Sequence, residues 1–170
     1  MFSMLHSVDN RHFSGIMTPD CSYPSSGVEP VVFMHPFFTE YGPKPPEKYL
    51  GANAQYMVRR NEFFADHSGP LVVFESESYF DYLTDEITKI RGARNLYFVE
   101  TLKDSPDPIF TSSWAEVYDF LRLFKSGIRV AGGLIKDSEI PNDRGCLGYA
   151  MHLLRREGFS VDVMTDLIFL

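Results

Sequence analysis

Cys146 has the setting that best suits nucleophilic chemistry. It follows Asn142-Asp143-Arg144-Gly145, in the first turn of a helix expected from about Asn142 to Glu157. A helix N-terminus and a neighbouring guanidinium both favour the thiolate, the form that attacks carbon. The competing reading makes Cys146 a small apolar residue stacked over Ala150 on the buried stripe of that helix. Three further groups could serve the thiol. His35 and Glu75 each stand in or at the end of an apolar run, where either could act as base. Lys103 follows a third run and is expected on the same rim. His35 has two other readings, a metal ligand or a hydrogen-bonded core histidine.

Other polar residues fall near the ends of the same runs: Ser76, Glu77, Glu100, Lys136, Asp137 and Asp166. Glu75, Glu77, Glu100 and Asp166 together could hold Mg²⁺ for phosphoryl-transfer or nuclease-like chemistry, although their spacing has no specificity. No His, Cys or carboxylate group has zinc spacing, and no metal or other cofactor is expected. Gly132-Gly133 matches neither GxGxxG nor GxxxxGK[ST], so it marks close backbone approach or a bend inside a strand rather than a phosphate loop. His67 sits at a helix end, where a cation suits the dipole; His152 on a polar helix face and the Lys89, Arg91, Arg94 cluster are expected at the surface.

What must position these residues is a rhythm of short apolar runs and helix-period segments. The runs are Val31–Phe38, Leu71–Glu75, Asn95–Thr101, Ile128–Ile135 and Ser160–Phe169. They are rich in β-branched and aromatic residues, and strands alternating with helices pair in parallel, buried on both faces. The expected fold class is therefore α/β: a three-layer Rossmann-like fold, with a mostly parallel sheet of about five strands and helices on both faces. Right-handed crossovers bring the carboxyl ends of such strands to one edge, where ligands bind.

The first helix is expected from about Glu47 to Asp66, with Leu50, Ala54, Met57, Asn61 and Phe64 on its stripe. The second begins near Ser78, capped with the help of Asp81, and buries Phe80, Leu83, Ile87 and Ile90. The third opens on the capping box Ser113-Trp114-Ala115-Glu116 and turns Trp114, Val117, Leu121 and Phe124 inward. Residues 1–28 lack periodicity and form an irregular arm with at most one short strand or turn. Residues 29–170 form a single α/β domain.

The chain has 170 residues, enough for a real core, with 44% hydrophobic and 23% charged residues, the ordinary balance of a globular domain. A net charge of -7 and a pI near 5.2 argue against nucleic acid as a partner and give no support for an anionic membrane surface. No apolar run is long enough to span a bilayer, and the N-terminus has no signal-peptide pattern. Two distant cysteines, Cys21 and Cys146, make no disulfide framework, so a cytoplasmic setting is expected. The 15% aromatic content and the Met- and Phe-rich arm suit self-association, so a homo-oligomer that takes a small-molecule ligand is expected.

Several segments resemble the isochorismatase-like cysteine hydrolases. Leu102-Lys103, Ile109-Phe110-Thr111 and a helix ending in Gly127-Ile128 look like the run around that family's lysine. Gly132-Gly133, then Cys146 with Ala150, and Glu157-Gly158-Phe159-Ser160-Val161-Asp162-Val163-Met164-Thr165-Asp166 look like its cysteine helix and closing strand. The resemblance covers residues 30–170 in order of elements. It implies a triad of a strand-one Asp, a Lys after a middle strand, and a Cys that attacks a carbonyl or imine carbon. Here the Asp position falls on or near His35, and Ile140-Pro141-Asn142-Asp143 looks inserted ahead of Cys146. Two readings follow. One is a hydrolase of a small amide- or imide-like substrate with Cys146 as nucleophile, Lys103 holding charge, and His35 or Glu75 as base. The other is a non-catalytic small-ligand-binding or assembly module that has lost the triad.

Overall fold

The computed structural model describes residues 3–5, 13–19, 24, 27–42, 44, 47–102, 105, 107, 114–124, 127–133 and 145–169. Among the described residues seven strands form one sheet: β1 Ser3–Leu5, β2 Phe13–Thr18, β3 Val31–Met34, β4 Leu71–Ser76, β5 Leu96–Thr101, β6 Gly127–Gly133 and β7 Ser160–Phe169. Their spatial order is β1-β2-β5-β4-β3-β6-β7. The five strands from β5 across to β7 pair in parallel. Among the described residues five helices alternate with the parallel strands: α1 Phe38–Tyr41, α2 Leu50–Asp66, preceded by a 3-10 turn Glu47–Tyr49, α3 Phe80–Arg91, α4 Ala115–Leu121 and α5 Gly145–Arg156.

The chain winds from β3 out to β5 in one direction, then returns to the other side of β3 and continues through β6 to β7. That reversal puts a switch point between β3 and β6, and leaves a crevice outside their carboxyl ends. One face of the sheet, through Val31, Phe33, Leu71, Val73, Leu96 and Phe98, packs on Tyr56 and Phe64 of α2 and Phe80, Leu83 and Ile87 of α3. The other, through Val32, Met34, Val72, Phe74, Tyr97 and Val99, packs on α4 and α5. Successive residues of each strand thus feed opposite cores, as period-2 geometry requires. This is the expected three-layer α/β fold.

Several expectations are corrected. The arm is more regular than its prolines imply: β1 and β2 pair antiparallel, and β2 pairs antiparallel with β5 through Ile16 and Met17. Ile16, fully buried, extends the core across that edge. The first parallel strand ends at Met34 rather than Phe38, because His35 takes φ of 45° and leaves the extended region. The buried stripe of α2 is Asn53, Tyr56, Arg60 and Phe64, so Leu50, Ala54 and Asn61 face outward. Longer side chains win that face because Tyr56 and Arg60 both reach a main-chain carbonyl at the sheet edge. Ile90 is exposed, and α3 starts at Phe80 with no side-chain cap from Ser78. Helix α4 begins at Ala115 without a side-chain cap; Ser113 lies outside the described residues. Asp166 is inside β7 rather than at its tip, in a stretch where the pairing with β6 jumps from Val130–Val163 to Gly132–Ile168.

Gly132 and Gly133 allow the close approach expected of them. A Cβ on Gly132 would stand 2.0 Å from the Met34 carbonyl oxygen, and Gly132 has φ of 100°. A Cβ on Gly133 would enter the Phe169 ring, 1.7 Å from its Cζ. Gly132→Ala and Gly133→Ala are each expected to destabilise the fold by about 1–3 kcal/mol or more. Gly132 should cost more, since a backbone carbonyl yields less than a ring. Gly51→Ala, where a Cβ meets nothing within 4 Å, should instead stabilise α2 by roughly 0.5–1 kcal/mol. Urea denaturation of the three variants reads the order.

Candidate functional site

The carboxyl ends of β3, β4 and β5 are joined by side chains. At the end of β3, the His35 N–H donates to the Phe74 carbonyl of β4 at 2.8 Å. The His35 Nε2 lies 2.8 Å from Oγ1 of Thr101, the last residue of β5. The Thr101 hydroxyl donates to the Glu75 carbonyl of β4 at 3.2 Å. His35 and Thr101 are buried, with His35 only 2% exposed. Burial pushes the His35 ring down to about 4, so it is neutral at physiological pH.

Glu75 is fully buried beside this chain. Its Oε1 accepts hydrogen bonds from the Tyr41 hydroxyl of α1 and, at 2.9 Å, from the Ser76 N–H. Its Oε2 has no hydrogen-bonding partner among the described residues. Burial pushes the carboxyl up to about 7; the Tyr41 and Ser76 hydrogen bonds pull the other way, and the Glu40 charge adds to the rise. A carboxyl near 7 can give or take a proton at neutral pH.

Helix α1 is held over this end of the sheet from behind. The Pro36 carbonyl accepts from the Tyr56 hydroxyl at 2.7 Å and from Arg60 Nη1 at 2.9 Å. Arg60 also pairs with Glu40 at 2.7 Å and lies over the Phe37 ring, 4.1 Å from its centroid. A buried guanidinium with these partners is satisfied, and breaking the pair would strand its charge. Tyr41 stacks on Tyr79 at 4.3 Å between centroids, and Phe38 stacks on Phe169 at 5.8 Å. The residues between His35 and Gly42 are thereby tied to β4, α2 and β7 at once.

Cys146 lies in the first turn of α5, partly exposed, and packs against the core cluster on the α4/α5 face. Ala150, one turn on, is fully buried in that cluster. The Glu75 carboxyl is held by Tyr41, whose ring packs on the cluster of the opposite face. Of the four expected catalytic residues, the His35 ring is linked through Thr101 to the main chain of Glu75, not to its carboxyl. Cys146 opens the helix after β6, the strand beside β3. Lys103 lies outside the described residues, as do Lys136, Asp137, Arg144 and Cys21. Glu77 and Asp166 are exposed, and Glu100, level with Glu75 on the neighbouring strand, is held above its usual range by partial burial and by Asp81 and Glu77. Among the described residues no group of three or more His, Cys, Asp or Glu is placed to hold a metal ion. No helix there is long and apolar enough to cross a membrane.

Sequence reasoning missed Thr101, Tyr41, Arg60 and Glu40. Thr101 was visible only as the last residue of an apolar run. Arg60 sits one turn from both Tyr56 and Phe64, a polar residue at a core position, which signals a buried partner.

No family model matches this sequence, and no curated protein does. Among solved structures, the fold is similar to that of the nicotinamidase SaPncA from Staphylococcus aureus, with a TM-score of 0.50 at 10% identity, over 84% of this chain and 83% of that one. The MAR1 ribonuclease from Caenorhabditis elegans aligns with a TM-score of 0.46 at 15% identity, over 86% and 67% of the two chains. At such identities the nicotinamidase likeness is one of fold alone, the three-layer α/β arrangement described above.

Glu75 and His35 should leave opposite marks on stability. Glu75, raised from 4.5 to about 7, keeps in the fold a proton that the unfolded chain releases; its contribution is present below 4.5 and lost as pH rises to about 7. His35, lowered from 6.5 to about 4, refuses a proton that the unfolded chain takes up; its contribution is present above 6.5 and lost as pH falls towards 4. Between these limits the two slopes oppose. Glu75→Gln removes one of them. Its stability relative to the unsubstituted protein should therefore climb, by up to roughly 1.4 kcal/mol per pH unit, between about pH 5 and 7. Urea denaturation at stepped pH measures this, and a flat difference would mean Glu75 titrates as an ordinary carboxylate.

Proposed function

We propose that this chain hydrolyses a small amide- or imide-like substrate at the carboxyl edge of its sheet, with Cys146 as nucleophile. The observation that carries the reading is topological. His35 follows the end of β3, and α5, which follows the neighbouring β6, opens with the partly exposed Cys146, so the two stand on either side of the switch point along the chain's course. The fold is shared with a nicotinamidase, an enzyme named for an amide substrate.

In this reading the Cys146 sulfur attacks the carbonyl carbon and forms a C–S bond, while the C–N bond breaks and the amine leaves with a proton. Water then cleaves the thioester and restores the thiol. Of the two candidate bases, Glu75 has the better-matched proton affinity, near 7, whereas His35 near 4 binds protons weakly. Lys103 is assigned to the developing oxyanion, as the family resemblance implies.

A second reading has a specific observation in its favour. Where the resemblance expects a strand-one carboxylate, on or near His35, the chain has a buried, neutral imidazole tied to Thr101, and Cys146 packs with the cluster on the face opposite Tyr41. A binding module that has lost the triad would look like this.

One experiment separates the two. The protein is incubated with nicotinamide and a panel of small primary amides and imides, and release of ammonia or opening of the imide ring is followed. Turnover that Cys146→Ala abolishes, with iodoacetamide labelling of Cys146 slowed by the substrate, supports the hydrolase. Glu75→Gln should then lower kcat by about 10²–10⁴-fold. Ligand binding without turnover, or turnover that survives Cys146→Ala, overturns it.

A further inference from the structure

We propose that Thr101 is a positioning residue: it fixes the His35 ring in a single tautomer, with the proton on Nε2 and Nδ1 left as a hydrogen-bond acceptor. A threonine hydroxyl has one proton to give. Here that proton goes to the Glu75 carbonyl, 3.2 Å away. What Oγ1 turns towards His35 Nε2, at 2.8 Å, is therefore a lone pair. A ring nitrogen facing a lone pair must bring the proton itself, so Nε2 carries the hydrogen. The neutral ring has one N–H only, and Nδ1 keeps its lone pair.

The ring has little freedom to choose otherwise. His35 is 2% exposed, its backbone is held at φ of 45°, and its N–H is bonded to Phe74. The chain of bonds crosses three adjacent parallel strands, from β3 to β5 and back to the main chain of β4, so the ring is referenced to the sheet itself. A rigid support of this kind fixes the ring, and the hydrogen bond it makes at one nitrogen sets which nitrogen carries the proton. Among the described residues nothing bonds Nδ1. A ligand that reaches this nitrogen has to donate to it, through an N–H or O–H; a carboxylate finds no proton there. That last consequence rests on the hydrolase reading, where an amide or imide N–H is such a donor. The tautomer does not rest on it.

The test is an NMR measurement on protein labelled with ¹⁵N-histidine, recorded without substrate. Two-bond proton–nitrogen correlations tell a protonated ring nitrogen from a lone-pair one. His35, assigned by the loss of its signals in His35→Asn, should show protonated Nε2 and lone-pair Nδ1, unchanged from pH 8 down to about pH 5, since its proton affinity lies near 4. Thr101→Val should lose the single-tautomer signature, and Thr101→Ser, which keeps the hydroxyl, should retain it. A wild-type ring protonated on Nδ1, a fast-exchanging mixture, or a Thr101→Val spectrum identical to wild type would each overturn the proposal. If Thr101→Val does not fold, the wild-type and Thr101→Ser spectra decide. Because no turnover is read, failure of this signature is distinct from failure of the Cys146→Ala assay.

Discussion

The arrangement depends on one backbone event, the exit of β3 from the extended conformation at His35. A non-glycine residue at φ of 45° is costly unless its surroundings hold it. They do so from several sides. The His35 N–H reaches the Phe74 carbonyl in β4, and its ring reaches Thr101 in β5. The next carbonyl, of Pro36, accepts from both Tyr56 and Arg60 of α2. The glycine pair in β6 completes the support, because only a residue without Cβ lets the Met34 carbonyl pass so near Gly132. Were β3 to continue straight through Phe38, α1 would not form, and Tyr41 would not reach Glu75.

From this turn follow the electrostatics of the edge. Two titratable groups, the His35 ring bonded to Thr101 and the Glu75 carboxyl bonded to Tyr41 and Ser76, are buried at this edge, and burial moves them in opposite directions, the imidazole down and the carboxyl up. Both are thereby driven towards their neutral forms. A pair of neutral groups costs far less to bury than an ion pair. Environments that push titratable groups away from their ordinary values are common at sites of chemistry, which is why Glu75 stands out among the carboxylates.

The two cores have different characters. The α4/α5 face meets the sheet through Val117, Phe120, Leu121, Leu147, Ala150 and Leu154, an apolar set to which the Cys146 side chain adds its sulfur. The α2/α3 face carries aromatic rings around a polar knot in which the buried Arg60 holds the Pro36 carbonyl and reaches the exposed Glu40. Polar groups inside a core are expensive unless each is bonded, so such a knot is specific about where α1 can sit. The apolar face imposes no such demand on α5. The contrast assigns positional precision to the His35–Glu75 side of the edge.

How much was legible from residues alone follows from range. Apolar runs of Val, Ile and Phe with helices between them are local signals, and they were enough for a parallel three-layer sheet, for the limits of β4, β5 and β7 to within a residue, and for the close approach at Gly132-Gly133. Placing His35 and Glu75 at the carboxyl edge followed from the same rhythm, since a right-handed crossover leaves no other edge. Tertiary structure decided the rest. That β1 and β2 join the sheet depends on an exposed flank of β5, which no residue in the arm announces. That α2 buries Arg60 rather than Ala54 depends on a carbonyl brought close from another element. The Thr101–His35 bond links residues 66 positions apart, and a threonine at a strand end is chemically mute until folding chooses its neighbour. Secondary structure is written in neighbours along the chain; partners for buried polar atoms are chosen only when the chain has closed around them.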